Sequence, residues 1–384
     1  MTRRVCAVIT ARPSYSRIKT ALLAMRERPD IDLQVVIAGS ALLDRYGSVV
    51  EQVEADGIPI DAKVFMVLEG ENTTSMAKTT GLGIIELATI FYGLAPDLVV
   101  SVADRYETLA TATAAAYMNI PLAHVQGGEV SGSIDEKVRH SVTKLADLHL
   151  TATELARERV IRMGEEPGRV HCCGCPSIDL AAEVAEAPLL DFNPFDRYGG
   201  VGETFGLSDG YLIVMQHPVT TEHATSRQHV EETLFAVESM GLPTLWFWPN
   251  VDAGSDGTSK GIRAFRESHD ASLMHFFKNM SPTDFLRVLA NSRAIVGNSS
   301  VAIREASYLG IPAVNIGSRQ TGRERGRNVV DTDYRRDAIV AAIEKQVAAG
   351  RLEPDHIYGD GRAGLRIAEI LATSELSIDK RLAY

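Results

Sequence analysis

One rhythm narrows the folds open to this chain more than anything else in it. Short apolar runs, most of them β-branched, alternate with amphipathic stretches. In the first half the runs are residues 5–10, 33–38, 98–102, 121–125 and 148–151, and helical patterns occupy 18–28, 74–94, 108–117 and 135–146. Strands that are apolar on both faces and alternate with helices predict a parallel sheet covered on both sides. The rhythm breaks at 183–209, where Ala-Pro, Asn-Pro and Tyr-Gly-Gly occur with little periodicity. That stretch reads as a linker followed by a loop. The rhythm then returns, with strands at 211–215, 244–248, 272–275, 294–296 and 313–316 and helices at 222–240, 283–290, 301–309 and 337–348. The expected fold class is α/β, two doubly wound Rossmann-like domains facing a cleft. Their expected extents are 1–182 plus 361–384 for the first and 183–360 for the second, with a last helix near 361–373 returning to the first. A length of 384 residues agrees, since it exceeds what one core usually supports.

Charge and composition remove several classes. The 39 basic and 50 acidic residues leave a net charge of −11, a poor basis for wrapping nucleic acid. No apolar run is long enough to span a bilayer. The N-terminal apolar stretch runs straight into Arg12, so it reads as a buried strand rather than a signal peptide, and the cytoplasm is expected. Of four cysteines, Cys172, Cys173 and Cys175 cluster, yet no second ligand pair accompanies them. They read as small residues at a buried strand end, and no metal site is expected.

The loops after the strands carry the chemistry. Arg12 and Ser16 follow the first run, where Pro13 and Ser14 suggest a capped helix start that favours anions. Neither a G-x-G-x-x-G turn nor a G-x-x-x-x-G-K-[ST] loop follows it, which argues against a dinucleotide dehydrogenase and a P-loop nucleotidase. The Gly81-Leu82-Gly83 stretch lies inside a helical pattern. Asp104 and Arg105 follow the 98–102 run, and Glu129 follows the 121–125 run. Ser133 reads as the N-cap of a helix opened by Asp135 and Glu136. Carboxylates crowded at one sheet edge perturb one another's pKa values and can supply a base and an acid. First-turn helix charges are the competing reading for Asp135 and Glu136.

His217 ends a strand ahead of Pro218, a place for contacting phosphate or shuttling a proton; a satisfied core histidine is the alternative. Gly297-Asn298-Ser299-Ser300 reads as a diphosphate cradle at a helix start, where a plain Ser N-cap would leave the flanking Gly and second Ser unexplained. Glu305 is placed for ribose hydroxyls or else for a solvated helix face. Arg319 is placed for a diphosphate or else as a surface cation.

Six segments in this order carry a resemblance: GGEVSGSIDEKVRHSVTKLADLH (127–149), GCPSID (174–179), QHPVTTE (216–222), PNVDAGS (249–255), GNSS (297–300) and SRQTGRE (318–324). Together they resemble the UDP-N-acetylglucosamine 2-epimerase family of the glycosyltransferase-B-like fold, nearest its hydrolysing branch. The resemblance implies that Arg12, Ser16, His217, Asn250, Asp252, Ser299, Ser300, Glu305 and Arg319 bind UDP, with uracil read near Met280. It also implies that Asp104, Glu129 and Asp135 or Glu136 work at C2 of the sugar, with Arg105 nearby.

The family's chemistry suits such residues. UDP leaves C1 while a carboxylate removes the C2 proton, giving 2-acetamidoglucal. A proton returns to the opposite face of C2, and water or UDP adds at C1. The resemblance implies no metal or redox cofactor, UDP-N-acetylglucosamine as ligand, and a homodimer or homotetramer. One departure is Arg12-Pro13, which resembles the non-hydrolysing branch. Hydrolysis to N-acetylmannosamine is favoured, with UDP-N-acetylmannosamine as the alternative product. GDP in place of UDP, and sugars altered at C4 and C6 as in bacillosamine, stay open. A UDP-sugar glycosyltransferase of the same fold and a non-catalytic sugar-nucleotide sensor are the rivals, and neither needs the carboxylates.

Overall fold

The first apolar run becomes β1 (Arg3–Ile9), the centre of a parallel sheet. The computed structural model describes residues 2–43, 49–69, 72–131, 134–249 and 254–384. Two compact units make up the chain. The first takes in Met1–Glu129, Ile134–Asp179 and Tyr358–Tyr384, and the second Val130–Ser133 and Leu180–Ile357.

The first unit's strands are β1, β2 (Ile31–Ala38), β3 (Ala62–Val64), β4 (Leu98–Val102), β5 (Leu122–Val125), β6 (Leu148–Thr151) and β7 (Val170–Cys172). They lie in the order β3-β2-β1-β4-β5-β6-β7. Between them run α1 (Arg12–Ser16), α2 (Lys19–Arg26), α3 (Val49–Ala55), α4 (Thr73–Leu94), α5 (Thr108–Tyr117), α6 (Asp135–Leu145) and α7 (Glu154–Arg162), and after β7 comes α8 (Pro176–Glu186), which belongs to the second unit from Leu180 on. Side chains alternate across the sheet as the pleat requires. Val5, Ala7 and Ile9 face Ile18, Leu22 and Met25, while Cys6 and Val8 share a cluster with Leu87, Phe91 and Val142.

The second unit repeats the plan. After α9 (Pro194–Tyr198) come β8 (Val201–Gly202), β9 (Leu212–Met215), α10 (Ser226–Ser239), β10 (Thr244–Phe247), α11 (Ser255–Ser268) and β11 (Met274–Phe277). Then follow α12 (Pro282–Ala290), β12 (Ala294–Gly297), α13 (Glu305–Tyr308), β13 (Ala313–Ile316), β14 (Val329–Thr332) and α14 (Arg336–Ala349). The sheet order is β14-β13-β12-β9-β10-β11-β8, parallel except for β8 on β11. Both units are doubly wound α/β structures, the glycosyltransferase-B-like class. Among the described residues no helix is long and apolar enough to cross a membrane.

Several elements escaped sequence reading for physical reasons. β3 and β7 are three residues each, too short to show a period. The stretch 183–209 is not featureless, for α8 enters it and α9 and β8 lie within it. The helix expected at 301–309 is a 3₁₀ turn, Ser300–Ala302, followed by the single turn of α13. α11 was hidden by Gly257 and Gly261, which look like breakers. A Cβ at either would stand 2.5 Å from Ser226 Oγ or 2.7 Å from Val230 Cγ1, so these glycines let α11 approach α10.

The last helix, α15 (Ala363–Thr373), packs on α2. Asp179 ties them together by accepting the N–H groups of Ala363 (2.8 Å) and Gly364 (2.7 Å) and the Thr20 hydroxyl (2.8 Å). Beyond α15, Lys380 reaches the C-terminal carbonyls of α6, Thr143 (3.4 Å) and Ala146, as well as the buried Glu165 carboxylate. Lys144 and the His149 ring (2.9 Å) hold the same carboxylate. Burial alone would raise the pKa of Glu165; the three donors outweigh it and hold it at about 2.

A carboxyl depressed below its ordinary 4.5 stabilises the fold fully above that pH and progressively less as pH falls toward 2. Glu165→Gln should therefore cost about 2 kcal/mol in urea unfolding at pH 7, since it takes the shared carboxylate from the half-buried Lys144 and Lys380 and from the buried His149 ring. The gap between variant and parent should narrow by pH 3. A gap that stays constant with pH would contradict this account of the clamp.

Candidate active site

In the first unit β4 lies between β1 and β5, so the loops that follow these three strands emerge side by side. The order reverses between β1 and β4, the switch point where open α/β sheets hold ligands. Arg12 follows β1 there, and Asp104, Arg105 and Glu129 follow β4 and β5. Asp104 and Glu129 are both buried.

The residue that gathers them is one sequence reading missed. Arg139, on α6, has no exposed surface. Its Nη1 donates to the Glu129 carbonyl (2.7 Å) and to Glu136 Oε2 (2.6 Å), and its Nη2 to Asp104 Oδ2. Burial opposes the guanidinium charge, but Asp104, Glu129 and Glu136 outweigh it and push the Arg139 pKa up. Arg17 Nη1 stands 3.5 Å from the other oxygen of Asp104. A signal existed: Arg139 follows Glu136 by one turn and neighbours Val138 in a buried stripe.

The turns that present these groups are bent. Ala103 (φ 64°) precedes Asp104, and Gln126 (φ 68°) precedes the Gly127-Gly128-Glu129 loop. Both non-glycine residues sit in the left-handed region, at about 1 kcal/mol or more each. Asp135 and Glu136 open α6 half-exposed, and Glu136 also meets the His140 ring at 3.0 Å. Ser133 lies outside the described residues, and the N-cap position of α6 is Ile134, without a side-chain cap. α1 likewise begins after Ala11 with no side-chain cap, so the cap expected from Pro13 and Ser14 is absent; Ser16 donates to Pro13 O (3.0 Å) within that helix. Burial and the neighbouring Arg105 lower the Arg12 pKa to about 10. Arg105 is held by the buried Glu107, at 3.2 and 3.3 Å.

In the second unit the reversal falls between β9 and β12. His217 follows β9, and Asn298, Ser299 and Ser300 follow β12. Asn298 is the fastener here. Its Oδ1 accepts the His217 N–H (2.7 Å) and its Nδ2 donates to His217 O (2.8 Å). Its own carbonyl accepts Arg319 Nη1 (3.2 Å) and Gln320 Nε2 (2.8 Å). One buried residue thus joins the loops after β9, β12 and β13. Ser299 caps the 3₁₀ turn, accepting the Val301 N–H at 3.4 Å.

Glu305 is buried rather than on a solvated helix face, and its Oε2 has no hydrogen-bond partner among the described residues. Glu222 accepts from Ser318 and from the Tyr334 hydroxyl (3.1 Å), fixing the loop after β13 to the turn after β9. Met280 is buried in the core. Asn250 and Asp252 lie outside the described residues. Cys173 and Cys175 are buried at the end of the first sheet, and burial lifts the Cys173 thiol to about 12.

β9 and β12 approach so closely that a Cβ on Gly297 (φ +129°) would stand 2.2 Å from Met215 O. Gly297→Ala should lower stability by at least about 2 kcal/mol in urea unfolding. It should also weaken UDP binding by calorimetry. Unchanged binding would show that the β9–β12 junction does not shape the anion loop.

The comparisons with known proteins give the family and the fold. The model of the family described as UDP-N-acetylglucosamine 2-epimerase matches residues 23–372. The chain is 32% identical over 376 residues to the hydrolysing UDP-N,N'-diacetylbacillosamine 2-epimerase of Legionella pneumophila, spanning 98% of this chain and 97% of the relative. It is 29% identical to the UDP-N-acetylglucosamine 2-epimerase of Neisseria meningitidis, spanning 97% and 96%. The Methanocaldococcus jannaschii UDP-GlcNAc 2-epimerase, solved with UDP-GlcNAc and UDP, has the same fold at a TM-score of 0.79 and 17% identity, covering 97% of this chain and all of that one. With the family model spanning nearly its whole length, this chain belongs to the UDP-N-acetylglucosamine 2-epimerase family.

Proposed function

We propose that the protein is a hydrolysing UDP-N-acetylglucosamine 2-epimerase, converting UDP-N-acetylglucosamine and water to N-acetylmannosamine and UDP. The observation that carries this is the cluster of buried Asp104 and Glu129 and half-exposed Glu136 around the buried Arg139. Binding of a sugar nucleotide alone needs no such cluster, but moving a proton at a weakly acidic carbon does.

The C2 hydrogen is not adjacent to a carbonyl, so a carboxylate removes it only while UDP departs from C1. The C2–H and C1–O bonds break, a C1–C2 double bond forms, and the diphosphate takes the electron pair. Asp104 and Glu129 divide the removal and return of the C2 proton between them, and Asp135 or Glu136 assists. Arg139 keeps these anions together in a buried place. Ser299, Ser300, His217 and Arg319 hold the diphosphate, and Glu305 accepts from the ribose hydroxyls. Arg12 and Arg105 add positive charge toward the leaving group. Asn250 and Asp252 complete the UDP contacts. Protonation at C2 leaves a cation at C1, water adds there and gives its spare proton to the carboxylate that has just been emptied, and the manno sugar is released.

A second reading concerns the sugar. The Legionella pneumophila relative acts on UDP-N,N'-diacetylbacillosamine and so does one from Campylobacter jejuni, which makes that substrate the competitor. We infer a homo-oligomer acting in the cytoplasm. Exposed Ile85 and Tyr92, two turns apart on α4, support self-association, and four cysteines outside any disulfide suit a reducing compartment.

Each sugar nucleotide is incubated with the protein in D₂O and followed by proton NMR. Deuterium at C2 of a free manno sugar is the expected result. A nucleotide-bound manno sugar would reverse the hydrolytic assignment, and no exchange with either substrate would sink the enzyme reading. Asp104→Asn and Glu129→Gln should retain UDP binding and lose about 100-fold or more in kcat. Full activity in either variant removes that residue from the chemistry.

A further inference from the structure

We propose that His124, through its hydrogen bond to Thr143, is the positioning residue that sets the geometry of Asp104 against Arg139. The inference rests on the assignment of Asp104 to the C2 chemistry.

His124 lies on β5 with no exposed surface. Its Nε2 is 2.9 Å from the carbonyl of Ala103, the left-handed residue just before Asp104. Its Nδ1 is 3.1 Å from Thr143 Oγ1, on α6 one turn beyond Arg139. A carbonyl only accepts, so Nε2 carries the proton. Burial lowers the ring pKa to about 4, so the ring is neutral near pH 7 and Nδ1 accepts the Thr143 hydroxyl. This fixes one tautomer and one ring orientation.

The contacts form a closed circuit. From Asp104 the chain leads back to Ala103, whose carbonyl is tied to His124. His124 is tied to Thr143, one turn of α6 leads to Arg139, and Arg139 returns to Asp104. Two tethers therefore fix both ends of the Asp104–Arg139 pair independently of the pair itself. The next loop is fitted to the same ring. A Cβ at Gly127 would sit 3.0 Å from both His124 Nδ1 and Thr143 Oγ1, so the chain leading to Glu129 passes over this hydrogen bond. The left-handed turn at Ala103 needs such a restraint, because an alanine left to itself prefers another conformation.

Thr143→Val keeps the shape and removes the donor. Thr143→Ser keeps the donor. The expected result is a fall in kcat of about tenfold to 100-fold for Thr143→Val, with KM and UDP affinity within about twofold of the parent. Thr143→Ser should keep nearly full kcat. In ¹⁵N-labelled resting protein, long-range ¹H–¹⁵N spectra should show His124 protonated at Nε2 alone. Thr143→Val with full kcat, Thr143→Ser as impaired as Thr143→Val, or an Nδ1-protonated ring would each overturn the proposal. The ring spectrum uses the unmodified protein, so it decides even if a variant fails to fold. A parent protein without turnover would sink the epimerase reading alone, since the tautomer is read without substrate.

Discussion

A guanidinium with no exposed surface, Arg139, is the constraint around which the first unit is arranged. A buried cation persists only if charged partners and hydrogen bonds replace its water. Arg139 finds them in Asp104 at the end of β4, in the Glu129 carbonyl beyond β5 and in Glu136 on its own helix. The converse holds as well. Buried carboxylates at one sheet edge would repel one another and drive protonation if no cation stood among them. The carboxylates proposed for proton transfer and the arginine set among them therefore call for one another, since each offsets the charge of the other.

Both units solve the same geometric problem by different local means. Each sheet reverses order beside its first parallel strand, and the loops on either side of that reversal have to be fixed relative to one another. In the first unit the fixing uses strained turns at Ala103 and Gln126 and a charged hub. In the second it uses a neutral hub. Asn298 grips the backbone of His217 on both sides and lends its carbonyl to Arg319 and Gln320. The choice follows the chemistry proposed for each. A loop that must leave its N–H and hydroxyl groups available to phosphate is better fixed from behind by an amide than by a competing charge.

The alternating rhythm made the fold class legible, because strands apolar on both faces have few places to go except a covered parallel sheet. The strand-end positions of Arg12, Asp104, Glu129, His217 and Ser299 were legible for the same reason, as loops after parallel strands share one edge. Arg139 was not. A lysine or arginine on an amphipathic helix is ordinarily solvated, and only the packing of α6 against the first sheet turns this one inward. Asn298 and His124 were hidden differently, since their value lies in which distant backbone groups they meet. α11 was lost because Gly257 and Gly261 carry the same signal whether they break a helix or let two helices touch.

Against the acidity of the whole chain, two guanidiniums stand together in the first unit. Arg12 and Arg105 stand close enough that each disfavours the other's charge, and burial adds to the effect on Arg12. Glu107 offsets Arg105 without exposure of its own, so it compensates that charge from within the protein. A doubly charged phosphate group arriving near this pair would remove the repulsion between the guanidiniums and gain two charge-assisted hydrogen bonds at once. In the elimination proposed above, departure of UDP from C1 would increase negative charge on the diphosphate oxygens. The same pair would then hold the leaving group more tightly than the substrate, which is the direction of selectivity that accelerates an elimination rather than merely binding its reactant.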